Sequence, residues 1–154
     1  MNWAEENLKV IKFQNGDNIF EAKDNRQWVE LGYAKLPAFM VTEFGEVHYN
    51  FYAVTDGRNL SPKGYRLPTY YELNSFINNK ESFSELPRLG YRVKGLGILN
   101  GVGSQGLYWT KTSVETNKIV EPLAYYLYID SHSTRLLKEA SSSGFSVRCL
   151  IDNT

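Results

Sequence analysis

Between Tyr125 and Lys138 the chain reads YYLYIDSHSTRLLK, bringing tyrosine rings, a carboxylate, an imidazole and two cations into one short run. That mixture suits binding better than bond-making. Tyrosines supply rigid apolar area with a hydrogen-bonding tip, and the surrounding polar groups adapt to a partner. Strand alternation places Tyr126, Tyr128 and Asp130 on one face and Tyr125, Leu127 and Ile129 on the other. The second set is the more apolar, so the first is expected to face solvent. Tyr126, Tyr128, Asp130, His132, Arg135 and Lys138 are the candidate ligand-binding residues.

Other reactive residue types do not assemble into a motif. His48 and His132 lie far apart without ligand spacing, so zinc has little support; His48 is expected to pack beside a strand and His132 to sit in a polar turn. Ser104 in GVGSQG leads into a strand-like segment and not into the strained strand-to-helix elbow that a serine nucleophile needs. The glycine series GLGILNGVGSQG lacks both the preceding strand and the following helix N-terminus of a phosphate cradle. Cys149 sits in apolar VRCLI and reads as a small core residue. No catalytic residue, metal site or cofactor is expected.

The elements that must carry the tyrosine run are legible around it. LYWTKTS, AYYLYID, TRLLKEA and GFSVRCLID read as strands separated by turn residues, as in an antiparallel meander. Earlier, Asp24 with Gln27 and Thr69 with Glu72 mark two helix starts with capping-box spacing, predicting a helix from about Asn25 to Leu31, closed by Gly32, and a second over YYELNSFIN. LKVIKF before QNGDN reads as a strand and turn, and LPAFMVTEF and HYNFYAV as strands about Phe44-Gly45-Glu46. From Ser82 to Gly106 the glycines predict a long irregular loop region. The fold class is α+β, as one domain over residues 1–154 with two short helices and an antiparallel sheet.

Composition bounds the partners. Seventeen basic residues balance seventeen acidic ones, leaving no field to hold nucleic acid or an anionic membrane. No apolar run reaches the roughly 20 residues that span a bilayer, and MNWAEENLKV is not a secretory signal. With one cysteine no internal disulfide forms.

The order of NLKVIKFQNGD, EAKDNRQW, YNFYAV, LSPKGYRLPTYYEL, LPRLGYR, GSQGLYWTKTS, AYYLYID and SGFSVRC resembles the Fibrobacter succinogenes major paralogous domain family from Asn7 to Asp152. The resemblance implies a C-type-lectin-like fold, related to the formylglycine-generating enzymes and to hypervariable phage and bacterial binding proteins, whose diversified positions lie in the equivalent late strands and turns. It also implies a cysteine where this chain has Ser61, before Pro62, as partner to the position of Cys149; the missing bridge suits synthesis in a cytoplasm, though drift in a loop would leave the same mark. At the usual calcium site of such lectins, Glu121-Pro122-Leu123 and Trp109-Thr110-Lys111 offer an incomplete set of oxygen ligands and a cation, so metal is not expected.

The function implied is a non-catalytic, metal-independent recognition or attachment module for a protein or cell-surface glycan, with no nucleic-acid partner and no membrane insertion. Its expected setting is a phage virion appendage used in host attachment, or the extracellular surface of a Bacteroidetes-like bacterium. The alternatives are a structural virion or scaffold subunit packed against neighbouring subunits, and a cryptic enzyme resembling the formylglycine-generating enzymes.

Overall fold

The computed structural model describes residues 1–115 and 121–153 and is mixed α+β. A short strand, β1 (Phe20–Glu21), leads into helix α1 (Asn25–Tyr33). Asp24 caps it by accepting the Gln27 N–H at 2.8 Å, satisfying a donor that the first turn leaves without a partner. The reciprocal bond of a capping box is displaced by one residue, since Gln27 Oε1 accepts from Lys23 N at 2.7 Å. The helix does not stop at Gly32, as expected, but runs to Tyr33. Glycine is needed there for closeness, because a Cβ at Gly32 would lie 2.9 Å from that of Ser142. The chain leaves the helix through Lys35, whose φ is 56°.

Strands β2 (Ala38–Val41) and β3 (Val47–Tyr49) pair antiparallel about the Phe44-Gly45-Glu46 turn, with Met40 opposite His48. β1 joins β2 in parallel. HYNFYAV is only half a strand. Asn50 Oδ1 accepts from Ala53 N at 3.1 Å and Ala38 N at 3.0 Å, so the asparagine caps a third helix, α2 (Phe51–Val54). A cap that satisfies two backbone donors outweighs the β-propensity of FYAV. LKVIKF likewise forms no regular strand: Leu8 N donates to Val147 O at 2.7 Å, and Lys12 makes an isolated bridge to Asn18 across the QNGDN turn.

After β4 (Tyr65–Arg66), helix α3 (Tyr70–Asn78) starts from the complete Thr69–Glu72 capping box. Glu72 also pairs with Arg66 at 2.6 Å. The glycine-rich stretch after Ser82 is not uniformly irregular. It holds a hairpin of β5 (Leu89–Arg92) and β6 (Leu99–Val102). Gly90 has φ 68°, and a Cβ there would meet Asn100 O at 2.3 Å; the glycine makes the strands possible where periodicity suggested a loop.

Strands β7 (Gly106–Val114), β8 (Leu123–Ile129) and β9 (Thr134–Ala140) form the expected antiparallel meander, completing a five-stranded sheet in the order β6-β5-β7-β8-β9. β5 joins β7 in parallel. Of GFSVRCLID, only β10 (Leu150–Ile151) is a strand, paired with β4. Gly144, Phe145 and Ser146 instead make isolated bridges to Arg92, Tyr49 and Tyr108, so this segment stitches the β1-β2-β3 sheet to the five-stranded sheet.

The large sheet is covered on both faces. Leu73 of α3 packs on Tyr108, Leu127 and Ile129 on one side. On the other, Phe51, Trp109, Tyr126, Phe145 and Cys149 belong to the main core, where Trp109 Nε1 donates to Tyr49 O at 2.8 Å. Burial of each such large apolar side chain stabilises the fold by about 1.5–3 kcal/mol. Among the described residues no helix is long and apolar enough to cross a membrane.

Candidate functional site

Strand register decides which of the candidate residues meet. Tyr126 lies opposite Trp109 and Leu137, and Tyr128 opposite Leu107 and Arg135, so these side chains share one face. Lys138 pairs with Tyr125, which places it on the opposite face, where Tyr70 of α3 packs on the Tyr125 ring at 4.3 Å. Lys138 is therefore separated from Tyr126, Tyr128 and Arg135. The expectation that they form one surface fails because cross-strand neighbours share a face and Lys138 has the wrong parity.

Tyr126 does not face solvent as expected. It is 8% exposed, with its ring 4.5 Å from Phe145 and 6.4 Å from Trp109. The segment carrying Phe145 lies over the tyrosine face, which alternation within one strand does not reveal. Burial pushes the Tyr126 hydroxyl up to about 12, and the nearby Glu139, Tyr91 and Tyr128 add to the shift.

Tyr128 is half-buried. Its hydroxyl accepts from Gln105 Nε2 at 3.0 Å and donates to Asp130 Oδ2 at 2.9 Å. The Arg135 guanidinium lies 5.0 Å from its ring centroid. Asp130 Oδ1 accepts from His132 N and Ser133 N, both at 2.8 Å, closing the β8–β9 turn. Those bonds, with the Tyr128 hydroxyl, hold the carboxyl down at about 2. Asp130 thus anchors the hairpin and presents His132, exposed at its tip, and Arg135, exposed beside Tyr128.

Next to Tyr128 a cavity of about 230 Å³ opens, lined by Tyr91, Tyr126, Tyr128 and Phe145, with Lys94, Gln105 and Glu139 among its polar groups. Lys94 Nζ is 3.1 Å from Glu139 Oε1. Sequence reasoning missed Tyr91, Lys94, Gln105, Glu139 and Phe145 as members of this site. Glu139 alone carried a signal, since alternation along TRLLKEA puts it on the Arg135 face. Tyr91 and Phe145 come from segments assigned elsewhere. A cavity of about 430 Å³ on the other side of the hairpin includes Asp130 with Glu81 and Arg88, but none of the tyrosines.

The remaining reactive groups are held structurally. Glu121 Oε1 accepts from Ser142 N, and Pro122 O accepts from Ser141 N at 3.0 Å. Among the described residues there is no cluster of three or more histidines, cysteines or carboxylates able to hold a metal. His48 is fully buried in β3. The Leu89 and Gly90 carbonyls lie beside its ring, but neither nitrogen has a partner in hydrogen-bonding geometry. Burial, followed by the charge of Arg92, pushes its pKa down to about 4, so the ring is neutral. Burial raises the Cys149 thiol to about 12, which leaves it unreactive as a nucleophile.

No protein-family model matches the chain, and comparison with curated proteins and with solved structures gives no match either.

Proposed function

We propose that this chain is a non-catalytic recognition module that binds a protein or cell-surface glycan through the tyrosine pocket and the β8–β9 hairpin beside it, without a metal. The observation that carries this reading is the pocket itself: four aromatic side chains converge on one cavity with an acid, a base and an amide. Concave aromatic sites with a few polar groups are the usual form of ligand sites. The groups available for proton transfer support a non-catalytic role. Glu139 is paired with Lys94, and His132 projects from the hairpin tip. A metal-free role is supported by the use of the Glu121 carboxylate as a backbone acceptor.

The same proposal takes the architecture as C-type-lectin-like, within or near the Fibrobacter succinogenes major paralogous domain family, and the setting as a phage virion appendage or a bacterial surface assembly. Supporting it are the capped helices α1 and α3, the antiparallel meander and the glycine-rich segment between them. The test is binding of purified protein to whole bacterial cells and to a glycan array. Tyr128→Ala is expected to reduce binding at least about tenfold, with the circular dichroism spectrum retained. Equal binding by the variant would remove the pocket from the reading.

A structural subunit role is favoured by a different feature. Leu96, Ile98 and Val102, which are 56%, 49% and 42% exposed, lie along or beside edge strand β6, in a stretch from Gly95 to Gly106 without a charge. Edge strands of isolated proteins are commonly guarded by charge. Sedimentation distinguishes the readings: a stable oligomer dissociated by Ile98→Lys supports the structural role, and a monomer supports recognition.

A further inference from the structure

We infer that the tyrosine pocket receives the cationic side chain of a lysine or arginine from a partner polypeptide. This rests on the recognition role proposed above and narrows its ligand.

The geometry is that of a half-open recess and not a flat platform. The Tyr126 ring is inclined at 48° to Phe145, and Tyr91 stands edge-on to Phe145 at 74° with centroids 6.2 Å apart. A sugar ring stacks best on one open aromatic face, whereas a cation gains from several π-faces around it. The volume of about 230 Å³ has room for one long side chain and not for a branched glycan.

The recess also holds one carboxylate, Glu139, that can accept such a cation. The protein already places two of its own cations here, Lys94 against Glu139 at 3.1 Å and the Arg135 guanidinium 5.0 Å from the Tyr128 ring centroid. Both side chains are exposed, so neither is locked in place. The pair of exposed Lys94 with half-buried Glu139 stays open to solvent and contributes modest stability, and an incoming ammonium or guanidinium takes the place of Lys94 on the carboxylate. Glu139 keeps a positive partner throughout, and the incoming cation gains the half-buried Tyr91 and Tyr128 rings.

The test is NMR titration of the whole chain with N-acetyl-lysine methylamide, its arginine counterpart, the uncharged norleucine counterpart and methyl hexosides. The two cationic probes are expected to shift resonances of Tyr91, Gln105, Tyr126 and Tyr128, with dissociation constants on the order of millimolar, and the norleucine probe to bind about fivefold more weakly. Glu139→Gln is expected to weaken the cations about fivefold. Lys94→Met is expected to strengthen them about twofold, because it removes a competitor. Retained chemical-shift dispersion shows that each variant folds. Equal binding of norleucine, an unchanged affinity in Glu139→Gln, or no cation-induced shift at 20 mM probe, roughly ten times that affinity, overturns the inference. Shifts caused by hexosides alone also overturn it while leaving the recognition role standing, and that role is decided separately by the cell and array assay.

Discussion

The Tyr128 hydroxyl donates to Asp130 Oδ2 at 2.9 Å while accepting from Gln105 Nε2 at 3.0 Å. It thereby ties the β8–β9 turn to the start of β7, and the same side chain forms a wall of the pocket. Tyr128→Phe keeps the wall and removes the tie. It is expected to lower stability by about 1 kcal/mol, read as a shifted urea midpoint with unchanged slope. Tyr126→Ala, in contrast, opens a hole beside Trp109 and Phe145 and is expected to cost about 3–5 kcal/mol. Similar losses in the two variants would contradict their different burial.

His48 makes stability depend on pH. Its ordinary value of 6.5 applies to the unfolded chain and falls to about 4 in the fold, so between those values the unfolded state binds the extra proton. Stability is full above pH 6.5 and declines as pH falls through 4, by on the order of 3 kcal/mol. Urea denaturation at pH 7.5, 5.5 and 4.5 should trace the decline. His48→Leu should flatten it over that window, and an unaltered profile would assign the proton uptake elsewhere.

Gly90 is held at φ 68° with Asn100 O where a side chain would begin. Gly90→Ala is expected to destabilise the protein by at least about 1–3 kcal/mol, with hydrogen-exchange protection lost first at the amides of β5 and β6. Protection equal to wild type would show that the hairpin can shift to admit the methyl group.

Ser61 and Cys149 are both buried, at 4% and 2% exposed, and Pro62 and Cys149 line the same cavity. Ser61→Cys is expected to oxidise to a bridge with Cys149 and to stabilise the chain by about 2–4 kcal/mol. Mass spectrometry under non-reducing conditions counts the lost hydrogens, and thermal melts compare oxidised with reduced protein. Two free thiols after oxidation would mean that the side chains do not reach the required geometry.

Local signals were legible wherever a few neighbouring residues settle the outcome. The Asp24 and Thr69 caps act through backbone groups at most three residues away, and both helices start where the sequence places them. Alternation along β7, β8 and β9, broken by turn residues, likewise defines an antiparallel meander. Local pattern failed where one residue had distant partners. Asn50 caps α2 and also holds Leu36 and Ala38, turning an expected strand into a helix. Gly90 reads as a loop residue because its role is to admit Asn100.

By itself, then, the sequence determined the α+β character, the two capped helices, the meander and the cluster of tyrosines on β8. The tertiary structure decided which of those tyrosines are buried and which stay half-exposed at the cavity. Period-two alternation says which side chains share a face, but what covers that face depends on chain segments far away. Tyr126 is buried because Phe145 crosses it, Lys138 is separated because it pairs with Tyr125, and the pocket exists because Tyr91, Tyr128 and Glu139 are brought together from three strands.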